Sequence, residues 1–276
     1  MKLFADSGSS KTDWLILEGN KVMNRFQSIG INPCILNEQQ IREILIHELL
    51  PHTSNINIHE IEFYGAGCRL PFSNIIKNVL SELTNCNSIV VESDMLGAAK
   101  MCCSNQPGIV CILGTGSNSC LFDGKAIIQQ IPSLGFILGD EGSGGALGKR
   151  LVNAIFKGYM PKNICKDFYQ RYQLTYDILI QKVYREERPN KYLASFTHFI
   201  KENIENEDIK KLVLDEFNLF IEKNILPYHR KDLPIHFVGS VAFHFKDLLV
   251  TAVNSQGITL GNVISHPIDC FIRQLT

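Results

Sequence analysis

The stretch Leu3-Phe4-Ala5-Asp6-Ser7-Gly8-Ser9-Ser10-Lys11-Thr12-Asp13-Trp14-Leu15-Ile16-Leu17 decides how this chain is read. Two apolar runs flank a turn of small residues. Each run is about a strand long and too short for a helix, which predicts a β-hairpin with its polar groups at the tip. Gly8 lets the backbone approach a ligand closely. Turn N–H groups, the hydroxyls of Ser9, Ser10 and Thr12 and the Lys11 ammonium are donors that suit phosphate oxygens. Asp6 ends the first run, where a carboxylate could hold a hydrated Mg²⁺. The same residue types also make an ordinary solvated turn, so the hairpin alone leaves both readings open.

A second copy of the pattern lies further along. Gly108-Ile109-Val110-Cys111-Ile112-Leu113 reads as a strand, Gly114-Thr115-Gly116-Ser117-Asn118 as a turn, and Ser119-Cys120-Leu121-Phe122 as a strand. Asp123-Gly124 is a strong hairpin signal, and residues 126–131 form another strand. The opening has the same order, because Glu18-Gly19-Asn20 turns its second run into a third strand over residues 21–28. This is a duplication of architecture and not of residues. Two such turns facing each other would clamp a polyphosphate from both sides, which solvated turns do not predict.

Elsewhere strands and helices alternate, the mark of an α/β layer. Asn37 caps a helix with Ile41, Ile44, Leu45 and Leu49 at helical spacing. Residues 59–64 form a strand, and a helix follows with Pro71 in its first turn. Residues 88–92 form a buried strand, and Ser93-Asp94 opens a helix through Met101. Gly139-Asp140-Glu141-Gly142-Ser143-Gly144-Gly145 precedes a helix from Ala146, and residues 160–227 are mostly helical. The clearest helix, over residues 209–226, carries Leu212, Val213, Phe217, Phe220, Ile221 and Ile225 on one face. A strand over residues 235–238 then turns at Gly239-Ser240 into a helix, and the tail holds a short strand and a helix after Pro267.

A chain of 276 residues can bury a large core and fill two domains. With 27 basic and 28 acidic residues it has no net field favouring nucleic acid or an acidic membrane. No apolar run approaches the roughly 18 residues that cross a bilayer, and the opening strand lacks the basic and apolar regions of a signal peptide. The 9 cysteines are scattered without a Cys-x-x-Cys, which argues against a disulfide framework or zinc site and for a reducing cytoplasm. His236, His244 and His266 also lack metal-ligand spacing.

The residues 6–13 turn, Gly114-Thr115-Gly116-Ser117-Asn118 and Gly139-Asp140-Glu141-Gly142-Ser143, in this order, resemble the BadF-type ATPase and N-acetylglucosamine kinase family. That family sits in the actin, hexokinase and heat-shock chaperone ATPase superfamily. The resemblance implies an α/β fold of two ribonuclease-H-like domains with a cleft between them. The division expected is residues 1–105 and 106–276, with a helical insertion over about 150–230. It implies ATP and Mg²⁺ as cofactors, with Asp6 on the metal side. Gly8, Ser9, Ser10, Lys11, Thr12, Thr115 and Gly116 would hold the phosphates, and Gly239 and Ser240 the adenosine. Asn32, Ser117, Asn118, Gly135 and Asp140 would hold the sugar; Ser133-Leu134-Gly135 stands where vertebrate-type members carry Gly-Trp-Gly.

Asp94, after a strand and at a helix start, is the expected catalytic base and also touches the substrate; a carboxylate of ordinary pKa suffices, because the proton leaves late. Asp94 and Asp140 could equally be helix N-caps. The activity implied is ATP-dependent phosphorylation of an amino sugar, N-acetylglucosamine to its 6-phosphate, in a cytoplasmic homodimer. Two rivals share the motifs. An activator ATPase of 2-hydroxyacyl-CoA dehydratases would need a cluster bridged by cysteines, for which only Cys102 and Cys103 lie near the domain junction. A non-catalytic sugar sensor would have no need of Asp6, Lys11 and Asp94 together.

Overall fold

The computed structural model describes residues 1–8 and 10–275, so Ser9 lies outside the described residues. The chain divides into two compact units, Met1–Asn105 with His266–Thr276, and Gln106–Ser265.

In the first unit β1 (Lys2–Ser7), β2 (Lys11–Glu18), β3 (Lys21–Ile29), β4 (Glu60–Gly65) and β5 (Ile89–Ser93) form a sheet in the order β3-β2-β1-β4-β5. β1 runs antiparallel to β2 and parallel to β4. Side chains alternate across the pleat. Leu3, Ala5, Trp14 and Ile16 enter one core with Ile41, Leu45, Ile76 and Leu80. Phe4, Leu15 and Leu17 enter a second core with Tyr64 and Met101. Both faces are covered, which is why the two opening runs read as continuous apolar segments.

The first core is roofed by α1 (Glu38–Ile44), a π-helical turn (Leu45–Leu49), α2 (Leu50–Thr53) and α3 (Ser73–Thr84). Asn37 caps α1 in a capping box with Gln40, as its position predicts. Pro71 falls before the α3 cap residue, Phe72, and so outside the helix's first turn. α4 (Asp94–Cys103) covers the second core. The strand expected to be buried, β5, is the sheet edge. Only its inward residues Ile89 and Val91 join the core, while Val90 is 45% exposed.

In the second unit β6 (Gly108–Leu113), β7 (Ser117–Phe122) and β8 (Ile127–Ile131) form the same meander. Helices follow: α5 (Gly135–Leu138), α6 (Gly144–Phe156), α7 (Lys162–Tyr172), α8 (Tyr176–Tyr184), α9 (Pro189–Ala194), α10 (Thr197–Glu202) and α11 (Glu207–Asn224). β9 (Ile235–Val238), α12 (Ser240–His244), α13 (Lys246–Ser255) and β10 (Leu260–Ile264) complete it. The sheet order is β10-β9-β6-β7-β8. Counted from its own first strand, each sheet therefore runs third, second, first, fourth, fifth. The duplication expected from the two hairpins extends through all five strands.

One boundary differs from the sequence expectation. The last helix, α14 (Pro267–Leu275), belongs to the first unit and not to a second domain ending at residue 276. Its apolar side supplies Ile268, Cys270 and Phe271 to the core under Phe4, and the Phe4 and Phe271 rings stack at 4.0 Å. Arg25 ties the helix to β3 through Asp269 at 2.8 Å. Phe271→Ala should therefore destabilise the first unit by about 2–3 kcal/mol, measured by urea unfolding. An unchanged midpoint would detach this helix from that core.

Candidate functional site

In the first unit the pleat sorts the hairpin's polar residues. Asp6 pairs across the ladder with Asp13, and Asp13 with Gln27 of β3. These residues share the face of Phe4 and Leu15, as does Lys11, two residues from Asp13. Asp13 is buried and holds Lys11 Nζ at 3.0 Å on Oδ2; its Oδ1 accepts from Gln27 Nε2 at 2.8 Å and lies 3.5 Å from Arg25. Burial opposes its charge, but these donors and cations outweigh it and hold the carboxyl below the usual range.

Asp6 has no such support. Burial, then the nearby Asp94 and Asp13 carboxylates, push it up to about 7 against the pull of Lys11.

Asp94 begins α4 without capping it. Ser93 is the cap, its hydroxyl accepting from Leu96 N–H at 3.2 Å. Asp94 Oδ1 accepts from the adjacent Met95 N–H at 2.8 Å. Burial raises its pKa to about 6, with the backbone donors pulling the other way. Asp94 thus stands above the ordinary carboxylate range that would suffice for a base whose proton leaves late.

Other first-unit residues are placed as follows. Gly8 is exposed, and its N–H closes the turn on Lys11 carbonyl at 2.9 Å. Ser10 is half-buried. Thr12 was expected to face phosphate beside Lys11, but strand alternation turns it to the opposite side of the sheet. There it is wholly buried, exchanging a 2.7 Å hydroxyl bond with Ser7 and reaching Ile29 carbonyl. It braces the hairpin. Asn32 Oδ1 accepts from Cys34 N–H at 2.9 Å in a local turn beside Gly67. Cys102 and Cys103 are buried within α4, so they cannot offer the exposed ligands of a cluster bridging two subunits.

In the second unit the Gly114 turn and the Asp140 loop form one structure. Gly144 and Gly145 N–H groups at the start of α6 donate to Gly114 and Thr115 carbonyls at 2.8 and 3.0 Å. The α6 cap is Ser143 and not Asp140. Asp140 has a left-handed backbone, φ 58°, and its Oδ1 accepts from the buried Ser117 N–H at 3.1 Å. Its carboxylate lies close on Gly116, where a Cβ would meet Oδ2 at 3.0 Å and press on it. Burial raises the Asp140 pKa.

Asn118 Oδ1 accepts from Ser119 N–H and from Gln130 Nε2, and Gly135 opens the short helix α5. Gly239 has φ 117°, and a Cβ there would strike Leu113 carbonyl at 2.4 Å. The neighbouring Ser240 lines a cavity of about 350 Å³ with Thr197, His198, Lys201, His244 and Phe245.

Two participants were not singled out in the sequence. Asp13 was quoted within the hairpin but given no role; its position opposite Asp6 was the available signal. Glu216 is a buried acid within the apolar side of α11. A carboxylate four residues before Phe220 on that face was its signal.

No protein-family model and no curated protein matches the chain. A solved structure from Porphyromonas gingivalis, assigned as an N-acetylglucosamine kinase, matches with TM-score 0.96 and 43% identity over 99% of this chain and 98% of that one. This chain belongs to the BadF-type ATPase and N-acetylglucosamine kinase family. A Chromobacterium violaceum structure with the same assignment has TM-score 0.77 at 13% identity, over 100% of this chain and 98% of that one. A ROK family glucokinase from Streptomyces griseus, solved with glucose and AMPPNP, has TM-score 0.56 at 12% identity over 98% and 96%. At these identities the likeness is one of fold, and the fold of this family member is that of the two-domain actin-like ATPases.

No helix among the described residues is long and apolar enough to cross a membrane.

The Asp6 carboxyl sets a pH test. Its folded pKa lies above the unfolded value of 3.8, so deprotonation opposes folding. The penalty is absent below about pH 4 and complete above about pH 7. Without nucleotide or divalent cation, Asp6→Asn should stabilise the protein at pH 8 by up to roughly 4 kcal/mol and have little effect at pH 4, measured by denaturant midpoints. Equal effects at both pH values would contradict the assignment.

Proposed function

We propose that this chain transfers the γ-phosphoryl group of ATP to a hydroxyl of an amino sugar, converting N-acetylglucosamine to its 6-phosphate. The observation that carries this reading is Asp94. Its neighbour performs the capping, one of its oxygens accepts a backbone N–H, and burial has moved its pKa to about 6. Phosphoryl transfer asks the protein chiefly to position groups and neutralise charge, with a carboxylate to accept the hydroxyl proton. A base poised near the working pH serves that step better than one titrating near 4. Full-length likeness to the P. gingivalis protein supports the sugar kinase class and its first-choice substrate.

The residues around Asp6 fit a bound Mg²⁺. Burial and the Asp94 and Asp13 carboxylates all push the Asp6 pKa up, and Lys11 is a nearby cation that pulls the other way. A Mg²⁺ ion that keeps several waters would take only one or two carboxylates. Asp6 would hold the ion, which when bound supplies charge to the phosphate oxygens. Lys11, anchored on Asp13, directs its ammonium toward phosphate from a fixed base. By the family resemblance Thr115 and Gly116 would offer backbone to phosphate, Gly239 and Ser240 would meet the nucleoside, with Ser240 lining a cavity, and Asn32, Asn118 and Asp140 would hold the sugar hydroxyls. Asp140 Oδ1 is already engaged by Ser117, which fixes the direction of the other oxygen.

The test is ADP release over a panel of amino sugars, with product identified by ³¹P NMR. N-acetylglucosamine should drive release, and Asp94→Asn should lower kcat by about 10²–10⁴-fold with little change in ATP binding. Release independent of sugar would make the protein an ATPase, and near-normal turnover in Asp94→Asn would remove that residue from its role.

A further inference from the structure

Helix α11 carries a stripe of residues that contact the Asp140 loop, beside and partly within the core of the second unit. Glu216, Phe220 and Asn224 are four residues apart, on one helical face, and all are buried. Glu216 Oε2 accepts the Gly142 N–H at 3.0 Å, and its Oε1 receives Arg150 at 3.1 Å. Phe220 lies against Gly142, whose φ is 72° and whose Cβ, if present, would meet Phe220 Cβ at 2.8 Å. Asn224 Nδ2 donates to Glu141 Oε2 at 3.2 Å, while its carbonyl accepts the Ser119 hydroxyl at 2.7 Å. The stripe thus grips the two residues that follow Asp140, and also the strand that begins with its partner, Ser117.

We propose that Glu216 is a positioning residue for sugar binding, holding the left-handed Asp140 in place by fixing the Gly142 peptide. A buried carboxylate is costly to keep unless its partners use its charge. Here one oxygen goes to a loop peptide and the other to an arginine. An apolar residue would fill the same space between α11 and α6 but would leave Gly142 N–H without its acceptor. Asp140 cannot relax into an ordinary turn while residues 141 and 142 are pinned on α11. The stripe therefore sets where its carboxylate points. The inference rests on Asp140 being a sugar ligand.

Steady-state kinetics, varying N-acetylglucosamine and ATP separately, distinguish the possibilities. Wild type is compared with Glu216→Met, which removes the acceptor at similar volume, Glu216→Gln, which retains an acceptor oxygen, and Asp140→Asn. Glu216→Met should raise the sugar KM about tenfold or more, the scale of one charge-assisted hydrogen bond, with the ATP KM within about twofold. Glu216→Gln should recover most of the loss. If Glu216→Met does not fold, Asn224→Leu, which releases Glu141, takes its place with the same expected split. The inference fails if Asp140→Asn raises the sugar KM but the α11 variants leave it unchanged, or if the sugar and ATP KM values rise together. An unchanged sugar KM in Asp140→Asn overturns the sugar-site reading itself, and the positioning role with it.

Discussion

The first unit depends on a carboxylate, Asp13, buried in the middle of a sheet. A charge there is tolerated only because Lys11, Arg25 and Gln27 converge on it. Asp6, opposite Asp13 in the ladder, is raised to about 7 by burial first and then by the Asp94 and Asp13 carboxylates, against the pull of Lys11. The strand order places this carboxyl at the end of β1, beside the start of α4 and Asp94.

The second unit uses the same strand order with different chemistry. Its hairpin turn carries no acid and spends its carbonyls on the start of α6. The acid comes instead from the loop before that helix, where Asp140 is bound to the strand after the turn. In the first unit charge is managed within the sheet, whereas in the second it is managed by helices inserted after the third strand. The two hairpins look alike in sequence because both need short apolar runs around a small-residue turn.

This explains what could be read from the sequence. The strands, both hairpins and the long helix were legible because their signals are local: runs of apolar residues, Asp123-Gly124, and one apolar face from Leu212 to Ile225. Asp6, Asp94 and Asp140 were legible as polar residues ending apolar runs. Partners distant in sequence were not legible. Nothing local says that Phe271 stacks on Phe4, that Glu216 receives the Gly142 N–H, or that Thr12 turns away from Lys11 to bond Ser7. Ser93 and Asp94 are both competent caps, so only the geometry shows which one caps the helix and which is available for chemistry. The raised pKa of Asp94 comes from burial, which a sequence does not state.

The central claim is that Asp94 is a base tuned to act near neutrality. The pH dependence of kcat/KM for N-acetylglucosamine, at saturating ATP and Mg²⁺, tests it most directly. Because the base must be deprotonated to accept the hydroxyl proton, the rate should rise with pH through a midpoint near 6 and then level off. A rate that stays flat from about pH 5 to 8 would contradict the account.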